Sequence, residues 1–65
     1  MSSWKFDSVS KILVANGFRL VRINGSHYQF KKAGHDKTVT VSFHNRDIPI
    51  GTLKSIERQS GLSFR

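Results

Sequence analysis

The chain has 65 residues, with eleven Lys and Arg against four Asp and Glu, a formal net charge of +7 and no cysteine. A chain this short holds one domain, residues 1–65, with a thin core, because it buries only about 60% of the surface that its unfolded form exposes; without cysteine it has neither a disulfide nor a thiolate zinc site to staple it. The positive excess points to polyanionic partners, nucleic-acid phosphates first among them. Neither an apolar run of about 20 residues nor an apolar leader is present, so no membrane partner and a cytoplasmic location are expected.

Phe6-Asp7-Ser8 ahead of Val9, Ile12 and Leu13 reads as a helix start, with Asp7 or Ser8 as N-cap and Phe6 stapling the first turn. Asn16-Gly17 closes this helix, expected over 8–16, because glycine takes the left-handed conformation that ends a helix. Lys11 lies opposite the apolar stripe.

Residues 18–23 and 27–32 then read as a β-hairpin around Asn24-Gly25, the dipeptide best suited to a two-residue type I′ turn. A two-residue loop there pairs Ile23 with Ser26, Arg22 with His27, Val21 with Tyr28 and Arg19 with Phe30. Val21, Ile23, Tyr28 and Phe30 then share one face, and Arg22, His27, Gln29 and Lys31 the other. Phe18 and Leu20 fall on the polar side of that division, which points either to a register offset by one residue or to twist at the strand's start.

Residues 32–37 form a polar connection in which His35 reads as a surface side chain. The clearest strand follows over 38–43, where Val39, Val41 and Phe43 alternate with Thr38, Thr40 and Ser42; His44 continues the polar side if the strand persists. After the turn-rich 45–49, Pro49-Ile50-Gly51-Thr52 opens a second helix with Ile50, Leu53 and Ile56 inward and Lys54, Glu57 and Arg58 outward. Ser60-Gly61 ends it, and Leu62 and Phe64 fold back on the core. The order α-β-β-β-α implies an α+β fold, with a three-stranded antiparallel sheet carrying two helices on one face and leaving the other open.

The four acids, Asp7, Asp36, Asp47 and Glu57, are scattered, whereas a two-metal nuclease needs clustered carboxylates. Gly51-Thr52-Leu53-Lys54 lacks the spacing of a phosphate-binding loop. Metal-free acid and base chemistry on RNA is what the residues support, with no metal or other cofactor. His27 is the candidate, since histidine changes charge near neutrality and this one is pinned by a turn and a strand. Arg22 and Lys31 are phosphate partners, and His44 is a phosphate contact or a strand terminator. Lys31 and Lys32 point to opposite sides of one strand, so one of them at most lines the open face. Trp4 and Tyr28 read as packing residues before base-stacking ones.

The motifs Asn16-Gly17-Phe18, Val21-Arg22, Gly25-Ser26-His27-Tyr28, Thr40-Val41-Ser42-Phe43-His44, Gly51-Thr52-Leu53-Lys54-Ser55-Ile56 and Gln59-Ser60-Gly61-Leu62 come in an order and spacing that resembles the HicA family of toxin–antitoxin mRNA interferases, over nearly all of the chain from Phe6 to Ser63. The resemblance implies a fold like the double-stranded-RNA-binding domain and a stress-response endoribonuclease that halts growth by cutting mRNA. It also implies a HicB-like antitoxin, expected to be acidic, that covers the active site, and it maps the family's catalytic histidine onto His27. Ser42 stands where relatives often carry Pro. The competing readings are a non-catalytic basic RNA-binding module of the same fold and a protein-binding domain that docks its basic surface on an acidic partner.

Overall fold

The computed structural model describes residues 4–43 and 45–64. Five elements follow in the expected order: α1 (Phe6–Ala15), β1 (Arg19–Asn24), β2 (His27–Lys31), β3 (Val39–Ser42) and α2 (Ile50–Ser60). The strands form one antiparallel sheet in the order β1-β2-β3. Alternation along β3 buries Val39 and Val41 and turns Thr40 and Ser42 to the other side. Phe30 from β2 joins the two valines, and against them pack Val9 and Leu13 of α1 and Leu53 and Ile56 of α2.

α1 begins two residues earlier than expected, and neither Asp7 nor Ser8 caps it: Lys5 holds the N-cap position, and its side chain makes no capping hydrogen bond. The burial of Phe6 in the first turn decides this, because drawing its ring onto the core and against Tyr28, at 4.7 Å between centroids, winds Phe6 itself into the helix. Asp7 remains in the first turn, where a carboxylate is favoured by the helix dipole. Asn16 and Gly17, the latter at φ +93°, end the helix as expected.

Three further side chains depart from the expected pattern. Ile50, read as the first residue of the inward stripe of α2, is 74% exposed, and Ile48, just ahead of the helix, is buried at that end of the core instead. The Ile48 N–H donates to the Trp4 carbonyl, which ties the N-terminal segment to the connection ahead of α2. Glu57 does not face solvent freely: its Oε2 accepts the Phe64 N–H at 2.7 Å and so draws the returning tail over the core. There Phe64 is buried edge-to-face with Trp4, as the packing reading of Trp4 requires.

His35 is a structural residue and not a surface one. Its Nε2–H donates to the Gln59 carbonyl at 2.7 Å and its ring meets Phe18 edge-to-face at 5.2 Å. Gln59 also closes the outer edge of the sheet, for its Oε1 accepts the Thr40 N–H while its Nε2 donates to Ser55 Oγ. One side chain of α2 thereby satisfies an edge-strand donor that would otherwise need water or another chain.

Candidate functional site

The hairpin register decides what stands beside His27. The loop is Gly25-Ser26 and not Asn24-Gly25: Asn24 pairs with His27, Ile23 with Tyr28 and Arg22 with Gln29. Of the two loop residues only Gly25 takes positive φ, at +64°, which is the pattern of a II′ turn with glycine first and not of I′. Between Leu20 and Arg22 the register shifts, so that Leu20 pairs with Phe30 and Arg19 with Lys31. This bulge at Val21 is the irregularity that the misplaced Leu20 signalled. It restores Leu20 to the side of Phe30 and keeps Arg19 with the polar set.

The polar face is therefore built in rows across the sheet. At one end Asn24, His27 and Ser42 stand side by side, next come Arg22, Gln29 and Thr40, and Arg19 faces Lys31 at the far end. His27 is exposed. Its Nδ1 lies 3.4 Å from Ser42 Oγ, and the Phe43 N–H donates to the Ser26 carbonyl at 2.7 Å, so the end of β3 braces the turn that carries the ring.

Arg22 is not directly opposite His27, as the expected pairing had it, but diagonal to it by one row. Diagonal neighbours on a sheet are about 7–8 Å apart, a gap that an arginine side chain spans. Lys31 lies on the same face but four residues along β2, about 13 Å away at roughly 3.3 Å per residue. His44, expected as an RNA contact, lies outside the described residues.

β2 ends at Lys31, so strict alternation along the strand does not govern Lys32. Both line one cleft of about 420 Å³ together with Gly17, Arg19 and Ala33. The sequence placed Ser42 on the polar side of its strand but contained no local signal for its contact with His27, which depends on the β2–β3 register. Among the described residues, no group of three or more His, Cys, Asp or Glu side chains comes together to hold a metal ion. No described helix is long and apolar enough to cross a membrane.

Two comparisons with known proteins bear on this arrangement. No curated protein matches the chain. The model of a family described as the HicA toxin of bacterial toxin–antitoxin systems matches residues 6–62.

Proposed function

The chain belongs to the HicA toxin family of bacterial toxin–antitoxin systems, and from that premise we propose that it is a metal-independent endoribonuclease of mRNA with His27 as its general acid–base residue. The observation that carries the reading is the exposed His27 imidazole on a cationic sheet face, with Ser42 Oγ 3.4 Å from its Nδ1.

In the base form Nε2 is unprotonated and faces solvent, and Nδ1–H donates to Ser42 Oγ. Nε2 takes the ribose 2′-OH proton, the 2′ oxygen bonds to the adjacent phosphorus and the bond from phosphorus to the 5′ oxygen breaks. The departing oxygen takes a proton from the imidazolium or from water. The products are a 2′,3′-cyclic phosphate and a 5′-hydroxyl. Positioned proton transfer of this kind contributes roughly a hundred- to ten-thousand-fold. The Ser42 contact survives every step, since Nδ1 keeps its proton as Nε2 gains and loses one. Arg22, one row away, supplies positive charge where the phosphorane develops, an effect worth about a hundred-fold or more when a donor is well placed. With one histidine and no second dedicated acid on this face among the described residues, turnover is slow.

The partner that restrains this activity is proposed to be a HicB-type antitoxin with an acidic surface, since a protein of charge +7 steers such a surface onto itself. Induced expression in bacteria tests the reading. The wild type is expected to arrest growth and shorten mRNA, and His27→Ala to relieve both at equal protein level. Arrest by the soluble, folded His27→Ala variant would reject catalysis by this residue. RNA binding without any cleavage by the purified wild type would favour the non-catalytic module.

A further inference from the structure

At the end of the sheet remote from His27, Arg19 and Lys31 are direct cross-strand partners. Like charges directly opposite each other destabilise a sheet, so the fold keeps an arrangement that costs it stability. Lys32 adds a third cation. Its Nζ sits 5.5 Å from the centre of the Phe18 ring, held by the ring's negative face. Its aliphatic stem runs along Gly17, where an added Cβ would come within 3.5 Å of Lys32 Cε. The three cations, the bare backbone of Gly17 and Ala33 line the open cleft of about 420 Å³. Among the described residues none of them pairs with a carboxylate: the ion pair there joins Lys5 and Asp47, and Glu57 is occupied by the Phe64 N–H.

We propose that this cleft is a backbone-phosphate subsite, which anchors the RNA strand about 13 Å from His27, the span of four residues along a strand at roughly 3.3 Å each. The inference rests on the ribonuclease reading and adds to it a ruler. Arg22 lies between the two ends on the same face, so the positive charge runs as a track along the hairpin and not as an isolated pocket, which fits a polyanion better than a single free phosphate. At about 3.4 Å per stacked nucleotide, the track covers roughly four nucleotides, fewer where the strand is extended. RNA shorter than this reaches His27 without reaching the cleft. Anchoring therefore sets which phosphodiester is presented to the imidazole and favours long RNA over fragments.

The test compares two variants that each lose three positive charges: R19Q/K31Q/K32Q in the cleft, and K11Q/K54Q/R58Q on the helices. Binding of 2′-O-methyl oligonucleotides of three and twelve residues, which lack the attacking hydroxyl, is followed by fluorescence anisotropy across a salt series. The cleft variant is expected to lose about ten-fold or more in affinity for the twelve-mer, and its slope of log affinity against log salt is expected to fall by about 2, at roughly 0.7 per single-strand phosphate contact. Its affinity for the trimer, and the helix variant's slope, stay near wild type. Equal losses in the two variants, or equal losses for both oligonucleotides, would overturn the subsite by showing a diffuse charge effect. If the wild type binds and cuts RNA and the cleft variant is unchanged, the subsite alone is wrong; if the wild type neither binds nor cuts RNA, the ribonuclease reading falls and takes the subsite with it.

Discussion

Ser42 Oγ stands 3.4 Å from His27 Nδ1 across the β2–β3 ladder. The neighbouring strand, and not the hairpin turn alone, thus sets where the ring points. A hydroxyl both accepts and donates, so it can hold the imidazole in either tautomer. When it accepts from Nδ1–H, the free lone pair is the one on Nε2, facing solvent. Ser42→Ala is expected to lower kcat by about two- to ten-fold, the rate equivalent of one ordinary hydrogen bond, and to leave KM unchanged. Ser42→Thr restores the rate, and the ¹⁵N shifts of His27 report the loss of the hydrogen bond at Nδ1 in the alanine variant and its return in the threonine one. Unchanged His27 ¹⁵N shifts in Ser42→Ala would show the contact to be incidental.

The histidines at 27 and 35 have opposite assignments and are expected to respond in opposite ways. His35→Ala removes the hydrogen bond to the Gln59 carbonyl and the edge contact with Phe18, and chemical denaturation is expected to show a loss of about 1–3 kcal/mol. The fraction that stays folded cuts RNA at the wild-type rate. His27→Ala, at an exposed position, changes stability by no more than about 0.5 kcal/mol. An activity loss in folded His35→Ala equal to that of His27→Ala would contradict the separation.

Arg19 faces Lys31, and among the described residues no carboxylate pairs with either. Lys31→Thr removes the repulsion and places a better strand former in β2, so the midpoint of thermal unfolding rises, with a gain of about 0.2–1 kcal/mol. RNA affinity falls in the same protein. A stability gain with unchanged RNA affinity would mean that Lys31 is merely a solubilising charge.

Glu57 holds the C-terminal tail through the Phe64 N–H at 2.7 Å. Glu57→Ala is expected to cost about 1.5–3 kcal/mol, the range for a hydrogen bond to a charged group, and to speed amide exchange in residues 62–64. A variant with wild-type exchange there would show that burial of Phe64 alone fixes the tail.

The order of elements and the inward valines of β3 were legible because each rests on a local signal: alternation in 38–43, and a glycine after each helix. The hairpin register was not, because Asn24-Gly25 states only which dipeptide turns easily. Moving the loop to Gly25-Ser26 brings Ile23 beside Tyr28 and, through the bulge at Val21, Leu20 beside Phe30. Pairing apolar side chains across the ladder outweighs the local preference of Asn-Gly for a I′ turn. The structural role of His35 escapes the sequence for a related reason. Its partners, Phe18 and Gln59, are far from it in sequence, and nothing within the loop 32–37 signals either contact. His27 was legible as a candidate from its turn, whereas Ser42 beside it and the cleft of Arg19, Lys31 and Lys32 needed the register and the end of β2 to be known.

The most direct test of His27 as the acid–base residue is single-turnover cleavage of a defined RNA by purified wild type and His27→Ala, with the fold of each checked by NMR and with a second substrate carrying one 2′-deoxy nucleotide at the cut site. The wild type is expected to cut the all-ribose strand, leaving a 2′,3′-cyclic phosphate, and to spare the deoxy position, while folded His27→Ala is slower by about a hundred-fold or more. Cleavage by folded His27→Ala at the wild-type rate, or cutting by the wild type at the deoxy position, would contradict it.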